Sequence, residues 1–357
     1  MKVLLCGATA GSNFGDYLLA QMFQDCASEV VGIENVYWYN RFYSYSNFFK
    51  KHLNNDKNYR FSDIDMMVYI SGGYFFGKDK KLKNYIARFF RYCLIGLQCI
   101  MFKKPYIIIG MEAGPSKSRI IKGIQAYLIK KAKYISVRNE ESYDYVKKHI
   151  REDVVLTADT ALALPKHFCK CKSLKMPEVS KRVLLHIDSE AAGNVRIIDK
   201  IVPVLNEFLK TNTEYVVALS PDQYSDIQKE ALNQVAKKIN TNNIEIYPYD
   251  DPFKLCMIIQ NSDLVITTKL HVGIIAAKLE KSVVSFSSYT EKIKRFYAQI
   301  EESSRTLALD EFDTKVAYEM LCKFKCQGIR IDEYLIKQAN NNILTTKKMI
   351  EDELNKH

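Results

Sequence analysis

The chain has 357 residues, 47% of them hydrophobic and 12% aromatic, with 52 Lys and Arg against 41 Asp and Glu for a net charge of +11. That length predicts two domains of about 150 residues each, with ample material for a core. The nine cysteines are odd in number and lack zinc-site spacing, no secretory signal is apparent, and the oiliest stretch, "YCLIGLQCIMF" at 92–102, is about half the roughly 20 residues of a membrane span. The expected setting is therefore reducing and cytoplasmic, without a structural zinc site or a spanning helix. The charge is uneven: residues 1–160 carry +9 and the remainder +2. Such asymmetry favours an anionic partner for the first half: a phosphate-bearing substrate, a membrane surface or nucleic acid.

In chain order, "KVLLCGA" at 2–8 reads as a buried strand, and "GSNFGDYLLAQMFQDCA" as a Gly-rich turn opening into a helix. "DMMVYISGG" at 65–73 is a strand stopped by glycines. A basic helix follows over 80–104, flanked by Lys80, Lys81, Lys83, Arg88, Arg91, Lys103 and Lys104; it reads either as a buried helix with solvated ends or as an amphipathic helix on an anionic membrane. "PYIIIGMEAGP" at 105–115 is strand and turn, "KYISVRNEESYDYVKKH" at 133–149 strand, turn and helix, and "DVVLTADTALAL" at 153–164 strand and loop.

Residues 165–182 break the rhythm with two prolines and a run of lysines, as a linker does. A second series follows, with strands at 182–188, 214–222, 244–251, 263–271 and 282–287 and helices between them. The tail from about 310 is helical. Continuous apolar strands alternating with helices predict parallel sheets covered on both faces. The expected class is α/β, with two doubly wound Rossmann-like domains facing a cleft: residues 1–165, a linker at 166–182, residues 183–309, then C-terminal helices at 310–357.

Ligands in such sheets bind beyond the carboxyl ends of strands, which selects the loops 11–16, 71–78, 110–117, 137–142 and 267–273. In "DLVITTKLHVGIIAAKLE", Lys269 and His271 sit between a strand and a helix. Backbone N–H groups at the helix start favour an anion, Lys269 adds a full charge, and His271 could deliver a proton once an anionic substrate arrives. A capping or packing histidine is the alternative. Arg138, ending "YISVR", suits bidentate binding of carboxylate or phosphate, or else an ion pair with Glu140 or Glu141. Lys292 and Arg295 follow the last strand and could add positive charge to the same crevice; a solvated helix face is the plainer reading of Arg295. The glycines of "GSNFGD", "SGGYFFGKD" and "GMEAGP" form neither a dinucleotide fingerprint nor a P-loop. They outline a substrate-facing rim containing Asn13, Asp16, Gly72, Gly73 and Glu112.

Taken in order, "NFGDYLLAQMF", "YISGGYFFGKD", "IIIGMEAGP", "YISVRNEESYDYV", "ADTALAL" and "SDLVITTKLHVGIIAAKLEKSVVSFSSYTEKIKRF" resemble the motifs of the polysaccharide pyruvyl transferase family, over residues 2 to 300. Lys269 stands where that family usually has arginine, so that a bidentate fork becomes a point charge. Ser71, Ala113 and Asn139 depart from its pattern as well. The resemblance implies a glycosyltransferase B-like fold. It also implies a ketal-pyruvate transferase that moves pyruvate from phosphoenolpyruvate onto two hydroxyls of a sugar and releases phosphate. By the same resemblance His271 and Arg138 are catalytic, and Lys269, Leu270, Lys292 and Arg295 bind the donor in the second domain. Asn13, Asp16, Gly72, Gly73 and Glu112 lie on the acceptor side in the first. Phosphoenolpyruvate is a co-substrate, and neither a metal nor another cofactor is expected. The acceptor would be a surface-polysaccharide precursor, a saccharide on a lipid diphosphate, and the protein cytoplasmic and peripheral on the inner face of the membrane. Competing readings are a nucleotide-sugar glycosyltransferase of the same fold and a non-catalytic anion-binding protein. Nucleic acid is not an expected partner, because no basic helix alternates with aromatics as a stacking platform would.

Overall fold

A computed structural model describes residues 1–75, 82–171, 173–187, 195–226, 228–287 and 290–356. The chain divides into two compact units. Met1–Ser12, Asp16–Ala163 and Glu333–His357 form the first; Asn13–Gly15 and Leu164–Asp332 form the second.

The first unit is built on strands β1 (Val3–Cys6), β2 (Val36–Trp38), β3 (Met66–Tyr69), β4 (Gly72–Phe75), β5 (Tyr106–Ala113), β6 (Tyr134–Val137) and β7 (Val155–Leu156). They run β2-β1-β3-β5-β6-β7, with β4 also paired to β5, and every pairing is parallel. Strands β1, β3 and β5 are buried at every position, as the runs VLLC, MMVY and YIIIGMEA require when helices cover both faces. Leu4, Met67, Ile108 and Ile135 lie in one core with Leu128 and Ile129 of the helix Arg119–Lys131.

Strand β5 kinks at Gly110, where φ is +56° and the register to β6 shifts between Ile108 and Met111. A side chain there would meet Ser71 and Thr160, so both backbone and space call for glycine. The Gly110 N–H donates to Ser136 Oγ (2.8 Å), and Ser136 in turn donates to Asn342 Oδ1 (2.9 Å). Asn342 Nδ2 donates to Ala158 O (3.1 Å) and Thr160 Oγ1 (2.8 Å). The helix Glu333–Leu354 thus belongs to the first unit, and it buries Ala339, Asn342, Thr346 and Ile350 while Leu344 stays exposed.

The basic segment is helical over Leu82–Arg88, passes through a wide π turn at Phe89–Cys93, and continues as a helix over Leu94–Met101. Its flanking Lys80 and Lys81 lie outside the described residues, as do residues 76–79 of the "SGGYFFGKD" loop. Among the described residues no helix is long and apolar enough to cross a membrane.

The second unit repeats the plan with β8 (Lys181–Ile187), β9 (Tyr215–Pro221), β10 (Ile244–Ile246), β11 (Leu264–Thr267), β12 (Ser282–Ser287) and β13 (Thr306–Ala308). Their order is β10-β9-β8-β11-β12-β13, again all parallel. Val183, Val217, Ile266 and Val284 from the sheet pack with Leu205 and Phe208 of the helix Val195–Thr211, and with Leu321 of the helix Thr314–Phe324. The stretch after Ala163 groups with this unit; within it the buried Cys169 Sγ lies 2.7 Å from Cys256 Sγ. Two doubly wound α/β units with further C-terminal helices is the architecture expected from the alternation of apolar strands and helices. The short edge strands β2 and β13 were not anticipated, since three residues carry no readable period.

Candidate functional site

In the second unit, three neighbouring strands end on polar side chains. His186 lies near the end of β8, Asp222 directly follows β9, and Thr267 closes β11. Parallel strands place these positions side by side at one edge of the sheet, which is why an otherwise apolar core finishes in a polar cluster. His186 and Asp222 are each 2% exposed. His186 Nδ1 is 3.0 Å from Thr267 Oγ1, and its Nε2 faces Asp222 Oδ1 at 3.7 Å. The other carboxylate oxygen accepts from Asn13 Nδ2 (3.1 Å) and lies 3.9 Å from Lys269 Nζ. Burial works to raise the Asp222 pKa, but His186 and Lys269 outweigh it and hold the carboxyl below its ordinary value. A carboxylate is therefore fixed between an imidazole and an ammonium group.

Lys269 caps the helix Leu270–Lys278 in extended conformation, and its own N–H donates to Thr267 Oγ1 (3.0 Å). Leu270 and His271 are the first two helical residues, so they stand at the positive end of the helix dipole. All three are half-buried. Close approach shapes the place of His271: Asn13 Oδ1 turns the chain by accepting from the Gly15 N–H (3.1 Å), and a Cβ on Gly15 would overlap the imidazole. Gly15→Ala is therefore expected to displace the His271 ring, and its imidazole signals in an NMR spectrum should move. Unchanged signals in a folded variant would show that the ring has room and that glycine is not needed there.

In the first unit Arg138 follows β6 and is 6% exposed. Its Nη1 donates to Asp159 Oδ2 (2.7 Å) and its Nη2 to Glu112 Oε2 (2.6 Å). Desolvation opposes the charge, but the two carboxylates outweigh it and raise the guanidinium pKa above its ordinary value. The ion pair considered with Glu140 or Glu141 thus forms with Glu112 and Asp159 instead; Asn139 begins the helix Glu140–His149, and both glutamates are exposed on it. Glu112, 1% exposed, serves here to hold Arg138.

Of the other positions singled out, Asn13 groups with the second unit beside Asp222, whereas Asp16 belongs to the first. Gly72 and Gly73 begin β4, where Gly72 pairs with Met111. Lys292 and Arg295 lie on the helix Thr290–Gln299, half-buried, with Arg295 Nη2 3.3 Å from Glu291. The structure thus brings Asn13, Gly15, Lys269 and His271 together, and adds His186, Asp222 and Thr267, which the sequence reading did not select.

Two parallel, doubly wound sheets of this connectivity define the glycosyltransferase B class of α/β fold. Solved structures agree. The chain is similar to a putative UDP-N-acetylglucosamine 2-epimerase from Listeria monocytogenes, with a TM-score of 0.64, 10% identity, and 99% of this chain and 98% of that one covered. It is also similar to MnaA of S. aureus, determined with UDP (TM-score 0.59, 12% identity, 98% and 97% covered). A third is MurG of Acinetobacter baumannii (TM-score 0.54, 11% identity, 98% and 99% covered). At such identities the likeness speaks for fold alone. Comparison with curated proteins finds no match. The polysaccharide pyruvyl transferase family model matches residues 13–289, and the chain belongs to that family. It is accordingly a transferase of polysaccharide pyruvylation.

Proposed function

We propose that the protein transfers pyruvate from phosphoenolpyruvate to two hydroxyls of a sugar in a surface-polysaccharide precursor, forming a cyclic ketal and releasing phosphate. The observation that carries the donor assignment is the cluster at the ends of β8, β9 and β11. Asp222, buried and ionised, holds Lys269 at a helix start, and His271 stands two residues further on.

The chemistry needs an acid and an anion holder. His271 would protonate the methylene carbon of phosphoenolpyruvate, placing positive charge on the adjacent carbon. A sugar hydroxyl adds there and loses its proton. The carbon–oxygen bond to phosphate then breaks, and the second hydroxyl adds to the same carbon and closes the ring; of the two hydroxyl protons, one restores the acid and the other leaves with the phosphate. Lys269 and the helix N–H groups would take up the charge that moves onto the leaving phosphate. His186, held by Thr267 and Asp222, would act as a positioning residue for this arrangement. In the first unit Arg138 is committed to two carboxylates, so the triad is net negative; we assign it to ordering Glu112 and Asp159 near the acceptor, as sugar hydroxyls donate well to carboxylates. A saccharide on a lipid diphosphate, presented at an anionic membrane surface, suits the basic first half of the chain.

Calorimetric titration with phosphoenolpyruvate tests the donor site. The wild type is expected to bind saturably, and Lys269→Ala to bind about 10- to 100-fold more weakly, as loss of a charge-assisted contact predicts. Equal affinity in the two would remove Lys269 from the donor site. Saturable binding of a nucleotide sugar, with none of phosphoenolpyruvate, would overturn the donor assignment.

A further inference from the structure

At the amino-terminal ends of β5 and β6, the opposite end of the first sheet from Arg138, lies a cavity of about 410 Å³. Lys103, Lys104, Lys131, Lys133 and Lys356 line it, and among the described residues Glu353 is its one carboxylate. Glu353 is already engaged, its Oε2 lying 2.7 Å from Lys133 Nζ and 2.9 Å from Lys356 Nζ. Lys104 Nζ donates to Ser62 O (2.9 Å). Acidic residues near its wall include Asp63 and Asp65, both of which meet Lys2, and the exposed Glu351 and Asp352 beside Glu353. Between residues 82 and 133 the only acidic residue is Glu112, buried against Arg138. Five ammonium groups around one concavity repel one another, and a bound polyanion relieves that repulsion while meeting several donors at once.

The rim indicates what carries the anion. Met101 and Phe102 directly precede Lys103 and are 67% and 55% exposed, beside Ile100 in the cavity wall. Large apolar side chains projecting next to a basic pocket suit a phosphate at the headgroup level, with the apolar tips at the acyl boundary. We propose that this cavity is a binding site for a phosphate-bearing group, and that the group is the headgroup of an anionic lipid. The site is separate from the candidate catalytic cluster and does not depend on the pyruvyl-transfer reading.

The test is sedimentation of the full chain with phosphatidylcholine vesicles, with or without phosphatidylglycerol. Three variants are compared with the wild type: Lys103→Gln/Lys131→Gln, Met101→Ser/Phe102→Ser, and the charge-matched control Lys147→Gln/Lys148→Gln on an exposed helix. The wild type is expected to bind only the anionic vesicles, and less so as salt rises. The pocket variant should bind them roughly 30-fold more weakly, at about one lysine's attraction for each charge removed. The apolar variant should also weaken binding, and the control far less. Equal loss in the control and pocket variants, or no wild-type binding at low salt, overturns the lipid proposal. Titration with inorganic pyrophosphate separates the two sources of phosphate. Pyrophosphate binding that disappears in the pocket variant, without vesicle binding, keeps the anion site and overturns its lipid carrier. Neither ligand binding overturns both.

Discussion

Replacing His271 by alanine is expected to lower turnover by about 10²–10⁴-fold, the usual contribution of a positioned general acid. Phosphate release from phosphoenolpyruvate in the presence of a saccharide acceptor measures it. Donor affinity should change little, because Lys269 and the start of the helix Leu270–Lys278 remain. A fall in turnover at nearly constant affinity identifies an interaction made chiefly in the transition state. A near-normal rate would exclude His271 as the acid and direct attention to His186, the other imidazole of the cluster.

The second large effect concerns stability. Arg138→Ala leaves Glu112 and Asp159 buried with no guanidinium between them. Breaking a buried ion pair from one side costs about 3–5 kcal/mol, and here two carboxylates lose the same partner. Denaturant unfolding should register that loss. Its pH dependence follows from linkage: an unpaired buried carboxyl holds its proton more tightly folded than unfolded, so the variant should regain stability as pH falls. Arg138→Lys should recover only part, because a point charge does not span both carboxylates as the planar fork does. Wild-type stability in the alanine variant would mean that water and relaxation satisfy the site.

Much of the architecture was legible because both sheets are parallel. Buried strands such as VLLC and YIIIG are apolar throughout, and the rule that ligands meet strand carboxyl ends marked the 267–273 turn from residue order alone. The partners of that turn were harder to read. In "RVLLHID" and "EYVVALSPD" the histidine and aspartate look like the polar edges of buried strands, and only pairing β9 to β8 and β8 to β11 brings them beside Lys269. A usable signal was present: a titratable residue at or just beyond the end of an apolar parallel strand. Arg138 was visible, but its partners come from β5 and from the loop after β7, and no local spacing joins them. Asn342 was hidden for another reason. Hydropathy would turn Leu344 inward, whereas Asn342 is the buried residue because its amide both accepts from Ser136 and donates to Ala158 O and Thr160 beside the kink at Gly110.

The place of that helix in the chain bears on how the molecule is made. Residues 333–354 complete the first unit, although residues 164–332, nearly the whole of the second, precede them in the sequence. During synthesis the second unit can therefore mature while the first still lacks the amide that closes its kinked strand. Until the ribosome delivers Asn342, the Ser136 hydroxyl must donate to water, while Thr160 Oγ1 keeps Ser71 Oγ, 2.6 Å away. The earliest-translated sheet is thus the last to be finished, and its exposure to aggregation or to chaperones lasts for the time taken to translate the other.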